Sequence, residues 1–518
     1  MSRSAAGKYD AIIIGAGHNG LTTAAFLAQG GRKVLVLERG RVIGGLAAGE
    51  EFHPGYHSSG LLHDTSRVRA WVVERLALKR HGLELLSQRP SLLALGRDGS
   101  SLLLHPEAHR TAAEIRPFSA KDAQEYLSYR RFIDRIKGFL NRLLNASPPQ
   151  VEDLGPGGVW GLIKTGIALR RLGKKEMMEL LRASPMCVAD WLNEWFETDL
   201  LKAALAGWAL AGDLAGPWSP GTNINLLLWE AASTGAIAGG PQALISALEK
   251  ALRSQGAEIR TESEVCEVLV SAGEVKGVLL ASGERIEAPL VAASCDPRQT
   301  FLDLLPSRRL THRLEQRILS VRGQGMTAKV NLALNAPLEF ACRPGEAIEF
   351  ARTGDHFDHL EKAFDTAKYR RFSQFPVLDI HLPSLADPRL APPGGCVVSV
   401  LVHFAPYNLE GGWADERREE LGEMVVAGLA EYAPGLSQKI VARQVLTPAD
   451  LERRYHLVKG QINHGEQSLD QLIFRPTPEC ARYSTPISGL YLCGSGSHPG
   501  GGITCAPGAL AASVMARG

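Results

Sequence analysis

Three glycines at Gly15, Gly17 and Gly20, an acid at Glu38 and a glycine pair at Gly44 and Gly45 are the residues whose spacing carries chemistry. In a Gly-x-Gly-x-x-Gly run the first glycine permits a tight strand-to-helix turn. The second lets a pyrophosphate approach the backbone, and the third lets the helix pack close to the strand. The helix N-terminus offers free N–H groups and the positive end of its dipole to the phosphates. A carboxylate at the distance of Glu38 accepts hydrogen bonds from ribose hydroxyls. This unit is read as binding a dinucleotide. For acid–base work the candidates are His57, in the turn-rich run Phe52 to Gly60, and His464 and Glu466, in the polar run Gln461 to Leu472. Both runs read equally well as structural loops.

The elements that must position these groups are legible around them. Ala11 to Ile14 is a short apolar run that reads as a buried parallel strand. A helix follows with Leu21, Ala24, Ala25, Leu27 and Ala28 on one face, and a second strand, Val34 to Leu37, delivers Glu38. After Gly239-Gly240-Pro241 comes a helix with Leu244, Ile245, Leu248 and Leu252 on its apolar face, then strands expected at Val265–Val270, Val275–Ala281 and Arg285–Ser294. The chain closes with a strand around Leu490 to Leu492, a glycine-rich loop from Gly494 to Thr504, and a helix from about Pro507. A second backbone nest opening a second helix N-terminus suits negative charge. Two insertions separate these pieces. The stretch from about Thr65 to Gly235 reads as mostly helical, with Leu200 to Leu228 suited to wall an apolar tunnel, and 306 to about 483 mixes helices and strands.

With 518 residues and a net charge of +2, the chain is expected to form two domains and gives no sign of a nucleic-acid partner. The eight cysteines include no CxxC and no closely spaced pair, which argues for a reduced compartment and against a dithiol centre or zinc knuckle. Asp355-His356-Phe357-Asp358-His359 lacks further ligands at metal spacing, so no metal site is expected. No apolar run reaches transmembrane length, and the first ten residues carry no secretory h-region. Val159 to Arg182 sets apolar residues among Lys164, Arg170, Arg171, Lys174, Lys175 and Arg182. This suits an anionic membrane surface, but is read first as a core-facing helix with a solvated basic side.

The glycine unit, Glu38-Arg39, Gly44-Gly45, Gly239-Gly240-Pro241, Ala292 to Pro297 and Gly489 to Gly508 together resemble the phytoene-desaturase-like branch of FAD-dependent, amine-oxidase-fold flavoproteins, over nearly the whole chain. The resemblance implies an α/β fold, α+β overall. A Rossmann-like FAD-binding domain is expected from residues 1–66, 237–305 and 484–518, and a mixed sheet-and-helix substrate domain from 67–236 and 306–483. It implies FAD, with Glu38 on ribose, Val265 on the adenine side, and Gly494, Gly502, Ile503 and Thr504 along the pyrophosphate, ribityl chain and flavin. His18, Asn19, Arg39, Leu46 and Ser495 complete the implied cofactor contacts. Relatives usually carry glycine at the position of Cys505, and often Arg-Asn or His-Asn where this chain has Ala509-Leu510, so contacts beyond Thr504 do not carry over. The implied activity moves a hydride between a C–H bond of a lipophilic polyene, isoprenoid or acyl substrate and flavin N5, with oxygen or a quinone as electron acceptor. Amine oxidation and a partner protein with structural FAD are the rival readings. The expected location is cytoplasmic with peripheral membrane contact, or mitochondrial in a eukaryote.

Overall fold

The computed structural model describes residues 8–149, 156–306 and 310–517; the side chains of residues 156–162 also lie outside this description. Five parallel strands form the first sheet, in the spatial order Leu490–Leu492, Leu290–Ala293, Ala11–Ile14, Val34–Leu37, Glu258–Arg260. Ala11–Ile14 sits at its centre, with Ile13 paired to both Val36 and Ala292. Such strands are apolar throughout because both faces are covered. Ala11, Ile13 and Val36 pack with helices His18–Gln29, Gly240–Ser254 and Ala506–Met515. The alternate residues Ile12, Ile14, Leu35 and Leu37 pack with the antiparallel meander Val265–Ser271, Glu274–Leu280, Arg285–Glu287 on the other side. The single strand expected over Arg285–Ser294 is two. Pro289 offers no N–H to continue the meander, and Leu290–Ala293 turns into the parallel sheet instead.

The second body is built on a seven-stranded sheet, ordered Ile440–Leu446, Thr327–Leu334, Cys396–His403, Val377–His381, Phe350–Thr353, Leu92–Leu95, Ser101–Leu104. Every neighbouring pair is antiparallel except Phe350–Thr353 with Leu92–Leu95. The mostly helical reading of 65–235 therefore missed an edge hairpin, Leu92–Leu95 and Ser101–Leu104, although its Asp98-Gly99 turn is an ordinary hairpin signal. Helices Ala120–Leu144, Asp199–Leu210 and Asn223–Ala232 share one core with Leu92, Leu102 and Phe364.

Two further expectations meet the structure here. Ile163, Ile167, Met178 and Leu181 of the basic stretch are 44%, 46%, 55% and 53% exposed, so at these positions the stretch does not face the core. Trp160 and Leu162 lie outside the described side chains. His359 commits its ring nitrogens to Asp355 (3.1 Å) and the Phe375 carbonyl (3.0 Å), while His356 caps the helix Phe357–Lys368. That pairing accounts for the histidines without a ligand.

Candidate active site

The glycine unit builds the floor of a groove of about 400 Å³. Gly15 turns the chain out of the sheet at a φ of +93°, in the left-handed region. A Cβ on Gly20 would lie 2.1 Å from the Gly15 carbonyl oxygen, and one on Gly508 would lie 2.2 Å from that of Asn19. These two glycines let the first and last helices close on the sheet and on each other. At Gly17 a Cβ would meet nothing within 4 Å, because that position faces the open groove. Glu38 ends its strand with Oε2 accepting from Ala16 N and Oε1 from Gly40 N, both at 2.8 Å. Its carboxylate is thereby fixed at the groove wall.

Of the residues named for the cofactor, Gly15, Gly17, His18, Asn19, Gly20, Glu38, Arg39, Gly45, Leu46, Val265 and Ser495 line this groove. Gly44, Gly494, Gly502, Ile503 and Thr504 are not among its lining residues, although Gly502 is hydrogen-bonded to His18, which is. Gly44 N donates to Ala16 O at 2.8 Å, and Gly494 packs so closely that a Cβ would lie 2.3 Å from Ser294 O. Arg39 reaches across to the far wall, to His456 Nε2 at 2.5 Å and to the Arg454 carbonyl at 2.6 Å, at the C-terminal end of helix Pro448–Tyr455. Cys505 is the N-cap of the last helix and packs against Thr22, with burial pushing its thiol up to about 12. It is a buried packing residue there.

The groove is polar where it is buried. His18 Nε2, Asn19 Oδ1 and His464 Nδ1 have no hydrogen-bond partner among the described residues. Burial pushes His18 down to about 4 and His464 down to about 3, so both rings are neutral. Buried polar atoms are normally satisfied. Unmet donors and acceptors along a glycine-floored groove with a carboxylate wall fit a dinucleotide cofactor. Glu466 does not line it; its carboxylate pairs with Arg322 at 3.0 Å. His57 lies on the hairpin Glu51–His53/Tyr56–His57, outside the lining of either cavity.

A second cavity of about 430 Å³ lies between the seven-stranded sheet and the helices. Asn463 lines it, and the next residue, His464, lines the groove. Leu62, Leu92, Leu205, Ile380 and Leu401 make it apolar, and Trp208 and Trp229 stand in its wall. Arg352 is held in two-point contact with Asp379 (2.5 and 2.8 Å), which His403 also approaches at 3.0 Å. A chain of titratable groups shares this wall. Glu349 meets His381 (3.4 Å), whose ring lies 4.9 Å from that of His63, and His63 is hydrogen-bonded to Lys329 Nζ. Lys329 also donates to the Leu61 carbonyl at 3.0 Å, and burial holds it well below the usual ammonium range. Burial, then the neighbouring Lys329, keeps His63 below its ordinary value. Sequence reasoning missed this cluster, because Thr327, Lys329 and Asn331 alternate with Ala328, Val330 and Leu332, a pattern that reads as a strand with one side in water, whereas the whole strand is buried.

With this geometry the chain belongs to the flavin-containing amine oxidoreductase family, whose model matches residues 167–516, while residues 13–67 match an NAD(P)-binding Rossmann-like domain. It is an FAD-dependent oxidoreductase of amine-oxidase fold. It is similar to pyridine nucleotide-disulfide oxidoreductase domain-containing protein 2 of Rattus norvegicus, 36% identical and covering 98% of this chain and 94% of that protein. It is 29% identical to a limonene dehydrogenase component of Castellaniella defragrans, over 98% of this chain and 94% of the relative. Phytoene desaturase (neurosporene-forming) of Rhodobacter capsulatus is 25% identical, over 97% and 93%. Among solved structures, an oxidoreductase from Methanosarcina mazei has the same fold, with a TM-score of 0.58 at 20% identity over 98% of this chain and 99% of that one. No two of the described cysteines are disulfide-bonded.

Proposed function

We propose that this protein moves hydrogen at a C–H bond of a lipophilic substrate, an isoprenoid-like or acyl chain, held in the second cavity. The carrying observation is that wall's composition: leucine and isoleucine side chains beside a stacked indole pair whose outer faces are both covered by guanidinium groups. An ammonium substrate is drawn to open aromatic faces. Here Arg89 and Arg352 already occupy them, which weighs against amine oxidation. The names of two relatives, a limonene dehydrogenase component and a phytoene desaturase, support the same substrate class.

FAD, when bound, supplies the hydride chemistry. Gly15, Gly17, the N-terminus of helix His18–Gln29 and Glu38 would hold its adenosine and pyrophosphate part, with Val265 beside the adenine. The protein's own residues hold the substrate, exclude water and handle the proton. In a desaturation one carbon gives up a hydride and its neighbour a proton. His63 lines the cavity with Lys329 hydrogen-bonded to it and His381 against it, and this cluster of buried nitrogens is our candidate for sharing that proton. Oxygen or a quinone would then receive the electrons. Among the described residues no helix is long and apolar enough to cross a membrane. Ile163, Ile167, Met178 and Leu181, set among Arg170, Arg171, Lys174 and Lys175, support peripheral contact with an anionic membrane as the substrate's route in.

The test is product analysis. Holoprotein is incubated with isoprenoid and acyl lipid mixtures, and with amines, and the products are resolved by mass spectrometry. A lipid that gains or loses two hydrogens, or isomerises at constant mass, is the expected result. Turnover of amines alone would overturn the substrate class, and no turnover at all would favour structural FAD.

A further inference from the structure

Arg69 is 6% exposed, its Nε is buried without a hydrogen-bond partner, and among the described residues no carboxylate pairs with it. Arg67 lies beside it. Among the described residues the acid paired with either is Asp64, whose Oδ2 is 3.4 Å from Arg67 Nε and already accepts from Trp229 Nε1 at 3.0 Å; its Oδ1 accepts from Ser66. His498 faces Arg69 too, but its ring nitrogens are spent on the Leu472 and Leu143 carbonyls. Burial, then repulsion from Arg67, pushes Arg69 down to about 10, still charged at neutral pH. A buried cation with no counter-ion is costly. Arg69, unpaired, beside the half-buried Arg67, whose Asp64 partner is shared with Trp229 and Ser66, points to an anion that belongs there.

Their place identifies it. Arg69 N donates to the Thr504 carbonyl at 3.1 Å, and Arg67 lies so close on Gly502 that a Cβ there would be 2.2 Å from Nη2. Gly502 to Thr504 is the closing segment at the N-terminal end of the last helix, where the family resemblance places the flavin. Arg67 also lines the second cavity. We propose that Arg67 and Arg69 are the counter-charge for the reduced flavin, which takes up two electrons and one proton and is left with a negative charge on its N1–C2=O side. This rests on the FAD assignment and is independent of which substrate is oxidised.

Sulfite reads this charge without a substrate. It adds to N5 of oxidised flavin, forming one S–N bond and leaving the negative charge on the N1–C2=O side. Holoprotein of the native chain, Arg69→Gln, Arg69→Lys and Arg67→Gln are compared for sulfite affinity by absorbance titration, and for midpoint potential by dye equilibration. Arg69→Gln is expected to weaken sulfite binding at least tenfold and to lower the potential by about 30 mV for each tenfold change of a two-electron couple. Arg69→Lys should recover most of both. Arg67→Gln, at a less buried site, gives the same direction if Arg69→Gln does not fold. Unchanged sulfite affinity and potential in glutamine variants that still hold FAD would overturn the proposal, including when binding of a fatty acid is lost instead. A native chain that binds no FAD would fail the cofactor assignment itself.

Discussion

Trp208 and Trp229 lie face to face in the wall of the second cavity, their ring centroids 3.9 Å apart and their planes 9° from parallel. Arg352 covers the outer face of Trp208 at 3.9 Å and Arg89 that of Trp229 at 4.7 Å. Asp379 anchors Arg352, and Asp64 accepts from Trp229 Nε1 at 3.0 Å. The wall is a four-layer stack, pinned at Arg352 by Asp379 and at Trp229 by Asp64.

Trp229 is 4% exposed, so Trp229→Ala should cost ~3–5 kcal/mol of stability. Trp229→Phe keeps a ring in the stack and loses the bond to the Asp64 carboxylate, for ~1.5–3 kcal/mol. Denaturant unfolding of the two variants checks the ordering; equal losses would mean that the hydrogen bond, not the stack, holds the wall.

Glu38 fixes two backbone N–H groups and closes the groove wall. Glu38→Ala should weaken FAD binding by ~10–100-fold, at the usual ~1.5–3 kcal/mol of a hydrogen bond to a charged group. The flavin-to-protein absorbance ratio after purification, and its recovery with added FAD, measures this.

Gly508→Ala would place a Cβ 2.2 Å from the Asn19 carbonyl, forcing apart the helices that carry the two nests. A loss of ~1–3 kcal/mol is expected from overpacking, together with reduced FAD content. Gly428→Ala, on an open helix face where a Cβ meets nothing within 4 Å, is the control and should be stabilising by ~0.4–1 kcal/mol. Thermal scanning separates them.

Two buried groups give opposite pH dependences. His464 falls to about 3, below its ordinary value, so the unfolded chain takes up the proton first; its contribution is whole above about pH 6.5 and is lost as pH falls. Burial, then the neighbouring Glu466, raises Asp213 to about 7; its contribution is whole below about pH 4 and is lost as pH rises toward 7. His464→Gln should therefore improve relative to the native chain at about pH 5, and Asp213→Asn at about pH 8. Melting temperatures of the three proteins at both values are the measurement, and parallel curves would contradict it.

Much of the cofactor domain was legible because its signals are local. Gly15 to Gly20, Val34–Leu37 with Glu38, and the helix after Gly240 each announce themselves within about a dozen residues. The far wall of the groove, Gln299 and Arg454 to Leu457, comes from segments with no motif of their own. The second cavity was harder still. His63, Lys329 and His381 are 266 and 318 residues apart counted from His63, and only the seven-stranded sheet brings them together. His57 and Glu466 looked chemical by type and neighbourhood, but local sequence carries no information on which side of a loop a side chain points.

The central claim, hydride transfer between FAD and a lipophilic substrate, is tested most directly by the anaerobic absorbance spectrum of the holoprotein. It is recorded before and after polyenes, fatty acyl compounds and amines are added in turn. Bleaching of the visible flavin bands by a polyene or acyl compound, and not by amines, is the predicted result. Bleaching by amines alone would contradict it.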